Sequence, residues 1–216
     1  MKYDQFVIFD TETTGLKPTE CQIIEFAAIV LDENGKLIKE GDVFVKAPEI
    51  PAKITELTGI TQRDVNGGVS MTDLIKMIIR INSGKKTLWI AHNAHFDMSF
   101  IKAAFDSECT PGKFEEEFKN CDFLDTLTVY RDRADKPHKL VNAIEHYKCD
   151  GVENSHRAID DVKALYAVVK AMTRERNDLG IYVNVFGGST SSPIERVTYK
   201  YQRVGWKDRG ERLPEV

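Results

Sequence analysis

The chain has 216 residues, 42% of them apolar and 30% charged, a balance that suits one soluble globular domain with a sizeable core. No apolar run reaches the roughly 20 residues of a membrane helix, and Met1-Lys2-Tyr3-Asp4 lacks the blocks of a secretory signal. The net charge of −4 argues against holding nucleic acid by charge alone, but not against meeting phosphate through bound cations.

Tyr3 to Phe9 is rich in strand formers and ends at Asp10, with Gly15 and Pro18 breaking the pattern soon after. Ile23 to Leu31 is a second strand, Asp32-Glu33-Asn34-Gly35 a hairpin turn, and Leu37 to Val45 the returning strand. Ile54, Leu57 and Ile60 suggest a short helical turn after Pro51. Met71, Leu74, Ile75, Ile78 and Ile79 fall at helical spacing behind Ser70, an N-cap type, and Gly84 ends that segment. Thr87 to Ala91 is a short strand and His92 to His95 a loop. Phe96 to Phe105 is a helix, and Asp122 to Leu127 another short strand. Leu140 to Tyr147 and Ala158 to Met172 are helices, the latter with an apolar stripe of Ala164, Leu165, Val168, Val169 and Met172. This order predicts an α/β fold: a mixed sheet covered by helices, its first three strands antiparallel. Cys21, Cys109, Cys121 and Cys149 are scattered without a CxxC pair. That pattern points away from a disulfide scaffold or zinc knuckle and towards a reducing, cytoplasmic setting without a membrane.

Three places carry candidate chemistry. Asp10-Thr11-Glu12-Thr13-Thr14-Gly15-Leu16 closes the first strand, and residues two apart on a strand share a side, so Asp10 and Glu12 can aim two carboxylates at one point. A hard divalent cation suits such a pair; the bland alternative is a solvated acidic turn. In His92-Asn93-Ala94-His95-Phe96-Asp97, Asp97 stands in the first turn of a helix, where acids also occur simply to complement the dipole. Zinc at His92 and His95 has little support, because no further His or Cys is paired with them. In His156-Arg157-Ala158-Ile159-Asp160-Asp161, Asp161 projects inward beyond His156; the alternative is a pair of ordinary first-turn acids behind a surface histidine.

Together the three segments resemble the motifs of the DEDDh (DnaQ-like) 3′–5′ exonuclease superfamily, which includes the proofreading epsilon subunit of bacterial DNA polymerase III, oligoribonuclease and ribonuclease T. The resemblance covers roughly residues 4 to 175 and implies a ribonuclease H-like fold. It implies that Asp10, Glu12, Asp97 and Asp161 hold two divalent ions, Mg²⁺ or Mn²⁺. Asp161 rather than Asp160 matches the family spacing from His156. His156 is then the general base, and nucleoside 5′-monophosphates are released from a 3′ end. The same resemblance has backbone groups around Glu12 and Thr13 hold the terminal 3′ hydroxyl and Leu16 wedge against the terminal base. Asn93 and Phe96 are further candidate substrate contacts; a plain core role is the alternative for Phe96 and the favoured reading for Phe100. The implied partners are single-stranded or frayed 3′ ends of DNA or RNA, and a DNA polymerase. A catalytically silent nucleic-acid- or polymerase-binding module of the same fold is the alternative.

These readings divide the chain into an exonuclease domain over 1–180 and a C-terminal extension over 181–216. Val197, Tyr199 and Tyr201 alternate as in a strand, and Lys200, Arg203, Lys207, Arg209 and Arg212 make the extension basic. With Tyr199, Tyr201 and Trp206 it could stack bases and track phosphate; a strand on the body or a disordered end are the alternatives.

Overall fold

The strand Gln5–Thr13 (β1) is buried on both sides, so it reads as an unbroken apolar run rather than an alternating one. In the computed structural model, which describes residues 3–152, 155–187 and 191–198, β1 is the centre of a five-stranded sheet. It pairs antiparallel with Ile23–Asp32 (β2), which pairs antiparallel with Leu37–Phe44 (β3). On its other side it pairs parallel with Thr87–Ala91 (β4), which pairs parallel with Cys121–Asp125 (β5). The order is β3-β2-β1-β4-β5.

The β2–β3 turn closes through the Gly35 amide, which donates to the Asp32 carbonyl, and the Asp32 carboxylate accepts from the amides of Asn34 and Lys36. Only Gly35 takes a positive φ, 77°, where a side chain would be strained. β3 is an exposed edge bearing Lys39, Glu40 and Asp42, charges that discourage strand addition.

Helices cover both faces. Ala52–Thr58 (α1), Gln62–Asn66 (α2) and Met71–Asn82 (α3) lie between β3 and β4, and the Ser70 hydroxyl caps α3 by accepting from the Asp73 amide. Ala94–Glu108 (α4) and Lys113–Glu117 (α5) lie between β4 and β5. Thr126–Arg133 (α6), Leu140–His146 (α7) and Ala158–Glu175 (α8) follow, then a 3₁₀ turn at Leu179–Tyr182. Strand alternation splits the core into two layers. Val7, Phe9 and Trp89 pack with Leu74, Ile78, Met98 and Phe105 of α3 and α4. Phe6, Ile8, Ala27, Ile29 and Ile90 pack with Val162, Leu165 and Val169 of α8 on the opposite face.

The expected meander and the main helices are present, and the strand order and covering helices make the ribonuclease H-like mixed α/β arrangement. Several expected bounds shift at their edges: the first strand, expected to end at Asp10, continues to Thr13, and the helix expected to Met172 runs to Glu175. The helix read from Phe96 begins at Ala94, and the strand read to Leu127 ends at Asp125, where α6 begins. The short helices α2, α5 and α6 have no counterpart in the sequence reading, because pieces of five to eight residues show too few turns for a periodic stripe. Beyond residue 180 the described residues pack on the body: Phe186, Ile194 and Val197 join the α3–α4 core layer, and Asn184 bonds through its backbone and side chain to β5 at Phe123. Tyr199, Tyr201, Trp206 and the basic residues after them lie outside the described residues.

Candidate active site

β1, β4 and β5 are parallel, so their carboxyl ends open at one end of the sheet, where α4 and α6 begin. Crevices outside such strand ends are the usual ligand sites of open α/β sheets. Asp10 and Glu12 stand at this end of β1, in the alternation set of Phe6 and Ile8, and therefore face the α8 layer. Asp161 is buried in the first turns of α8. Carboxylate oxygens of Glu12 and Asp161 and an imidazole nitrogen of His156 lie within 4.8 Å of one another.

Asp97 reaches the same end from the opposite layer. One of its carboxylate oxygens accepts from the Thr11 amide at 3.1 Å and the Thr11 hydroxyl at 2.7 Å, which pins the start of α4 against β1. Asp125, fully buried at the end of β5, accepts from the Asn93 amide at 2.9 Å and the Leu127 amide at 3.0 Å. It thereby secures the β4–α4 turn, where Asn93 adopts a left-handed conformation (φ 72°), and caps α6.

The electrostatics follow from burial first and from crowding second. Burial pushes the Asp10 carboxyl well above its ordinary value, with Asp97, Asp161, Glu12 and Glu25 adding to the rise. Burial, then Asp161, Glu25 and Asp97, pushes Glu12 up to about 8, against the pull of Arg157. Burial raises Asp97 to about 7 despite the Thr11 hydrogen bonds, and raises Asp125 to about 6. Buried like-charged carboxylates resist ionising together unless a cation lies among them. A donor set made of carboxylate oxygens fits hard divalent ions of the magnesium, manganese and calcium type.

Leu16 is 82% exposed at the tip of the loop after β1. The Thr13 hydroxyl donates to the Gly15 carbonyl at 2.6 Å, and the Thr14 amide and hydroxyl bond Gln22 across the loop neck. A Cβ on Gly15 would fall 2.6 Å from Cys21 Sγ, so a larger residue there would require the Cys21 side chain to turn aside. Phe96 is half-buried against Phe100, with ring centroids 4.9 Å apart. His156 is exposed and left-handed (φ 58°). Asp160 turns away to accept from the Ser155 hydroxyl at 2.7 Å.

His92 has both ring nitrogens engaged within the protein. Nε2 lies 2.9 Å from the His138 carbonyl, which can only accept, so Nε2 carries the proton and Nδ1 faces the Thr126 hydroxyl at 3.0 Å. Burial lowers its pKa to about 4 and keeps it neutral. Thr11, Asp125 and Glu25 escaped the sequence reading. Glu25 had a signal: it is the one charge inside the apolar run Ile23-Ile24-Glu25-Phe26-Ala27.

A family model described as exonuclease matches residues 7–169, three-quarters of the chain. The chain belongs to the exonuclease family. The DNA polymerase III PolC-type protein of Clostridium perfringens (strain 13 / Type A) is 36% identical over 169 residues, covering 77% of this chain and 11% of that protein. The exonuclease domain thus spans about a tenth of the length of the PolC-type relatives it matches. Its fold is similar to E. coli exonuclease I solved in complex with a dA16 oligonucleotide, with a TM-score of 0.69 at 22% identity over 82% of this chain and 42% of that one. It is also similar to a 3′-exonuclease solved for 3′-end specific recognition of a histone mRNA stem-loop, with a TM-score of 0.65 at 18% identity over 81% and 65%. Nucleases of this family are metal-dependent hydrolases, in keeping with the oxygen-rich donor set. Among the described residues, no helix is long and apolar enough to cross a membrane.

Proposed function

We propose that this exonuclease domain shortens single-stranded or frayed 3′ ends, DNA in preference to RNA, and releases nucleoside 5′-monophosphates. Asp10, Glu12, Asp97 and Asp161 hold two divalent ions, Mg²⁺ or Mn²⁺. The observation that carries this reading is the meeting of Asp10, Glu12 and Asp97, from opposite sheet faces, with Asp161 of α8, at pKa values raised first by burial and, for Asp10 and Glu12, further by the neighbouring carboxylates. When bound, such ions supply a more acidic attacking water and stabilise the charge that builds on the leaving oxygen. His156, exposed at the mouth and beside Glu12 and Asp161, accepts the water's proton on its imidazole nitrogen. Leu16 offers an apolar edge for the terminal base. The loop held by Thr13, together with Asn93 and Phe96, lines the approach to the 3′ hydroxyl.

The preference for DNA and a partnership with a DNA polymerase rest on the PolC-type relatives. The free Cys21, Cys109, Cys121 and Cys149 support a cytoplasmic setting. A catalytically silent binding module is disfavoured because all four carboxylates are present. The test is a digestion panel with Mg²⁺, Mn²⁺ or EDTA on 5′-labelled single-stranded DNA, RNA, recessed duplexes and circular single strands. A ladder of shortening products, lost in EDTA and in Asp97→Ala, is expected. Comparable cutting of circles, or activity retained by Asp97→Ala, overturns the proposal.

A further inference from the structure

Glu25 is a further buried carboxylate beside the acidic cluster, with no part in the proposed metal binding. It stands on β2 directly opposite Glu12 in the antiparallel register, on the face covered by α8, and is fully buried. Its neighbours along that face of β2, Ala27, Ile29 and Leu31, are all apolar. A like charge facing Glu12 across the strands is unfavourable, and a buried carboxylate is costly unless it is paired and hydrogen-bonded. Glu25 is both. Its oxygens take Arg157 Nη2 at 2.9 Å and Nε at 3.3 Å, and the Ala158 amide at 3.0 Å. The Arg157 guanidinium also lies over the Phe44 ring, 5.1 Å from its centroid.

The Ala158 contact falls where α8 lacks a cap of its own. Arg157 is its N-cap residue and makes no side-chain cap hydrogen bond. The first amide of the helix is instead satisfied by a carboxylate from another strand, which also meets the positive end of the helix dipole. His156 immediately precedes this anchor and Asp161 follows Ala158 by three residues, one turn along the helix.

We infer that Glu25 is a positioning residue: through Arg157 and the Ala158 amide it fixes the start of α8 to the central sheet, and so sets where His156 and Asp161 meet Glu12. The inference rests on the roles proposed above for those three residues. The Arg133–Asp178 ion pair serves as the comparison: Arg133 also bonds the Met172 carbonyl and Glu175, so it ties α6 to the last turn of α8, at the end away from His156 and Asp161.

The test is Glu25→Gln, which keeps the shape and one acceptor but removes the charge, alongside Arg157→Gln, the double variant and Asp178→Asn. Glu25→Gln should lower kcat roughly 10- to 100-fold, as small misplacements of reacting groups do, with KM for a single-stranded oligonucleotide nearly unchanged. Arg157→Gln should do the same, and the double variant should be little worse than either single one. Asp178→Asn should lower the melting temperature without changing kcat. Independently of activity, amide hydrogen exchange at residues 158–161 should accelerate about tenfold or more in Glu25→Gln, while residues 168–172 stay protected. Unaltered exchange at 158–161 overturns the inference whatever the activity. Faster exchange with unchanged kcat overturns it too, since Glu25 would then hold the helix and not the chemistry. Absence of metal-dependent cleavage by the unsubstituted protein overturns the proposed function instead, and the exchange comparison still decides whether Glu25 anchors α8.

Discussion

Replacing Glu12 by Gln should destroy activity and yet stabilise the metal-free protein, and the size of the gain can be worked out. Burial and the neighbouring carboxylates raise Glu12 from 4.5 to about 8 in the folded protein. A group raised on folding stabilises the fold fully below its unfolded pKa and loses that contribution as pH climbs towards its folded one. At pH 7 the unfolded chain has shed the Glu12 proton and the folded chain mostly keeps it. That is about two and a half decades of proton binding at about 1.4 kcal/mol each, or about 3 kcal/mol against folding. Solvent reaching the half-buried side chain reduces this to about 1–3 kcal/mol. In a chain of this size each kcal/mol moves Tm by about 2–4 °C, so Glu12→Gln should melt about 2–12 °C higher in EDTA at pH 7.5. At pH 5 the advantage should shrink to about 1 kcal/mol or less, because both forms are then largely neutral in the fold. Saturating Mn²⁺ should narrow or reverse the order, since a cation that binds only the folded site stabilises the unsubstituted protein more. Thermal unfolding followed by circular dichroism at the two pH values, with and without Mn²⁺, measures all of this. A variant no more stable than the unsubstituted protein at pH 7.5 in EDTA, or equally favoured at both pH values, refutes the crowding argument.

Asp161→Ala should abolish cleavage while Asp160→Ala, whose wild-type side chain is engaged with Ser155, should cost only a few-fold; rates on single-stranded DNA check this, and the reverse order would make Asp160 the ligand. His156→Ala should slow turnover about 10²-fold or more while calorimetric Mn²⁺ affinity barely changes; affinity lost as badly as in Asp10→Ala would make it a ligand instead. Leu16→Ala should reduce the rate of removal of the terminal nucleotide without changing Tm, because the side chain is 82% exposed and packs on little of the fold. For the metal-free protein as a whole, Asp97 raised to about 7 acts in the same direction as Glu12, so its Tm should fall as pH rises from 5 to 8.

Local pattern in the chain was enough for the meander, for the turn at Gly35, for the Ser70 cap and for the amphipathic α8, because each depends on neighbours a few residues away. It was also enough to put Asp10 and Glu12 on one side of β1, since strand alternation is a local rule. What only the tertiary structure decided is everything that depends on register between distant segments. Thr11 meets Asp97 across 86 residues, Asp125 holds Asn93 across 32, and Glu25 takes the Ala158 amide across 133. Nothing in the local sequence of α6 announces that its start is capped by a buried aspartate which also secures α4. Nor does the sequence show that His92 spends both nitrogens on Thr126 and His138. Hydrogen bonds and charge pairs of this kind gain their strength from burial away from water, and burial is set by how the sheet and its two helix layers close, not by the order of residues along any one element.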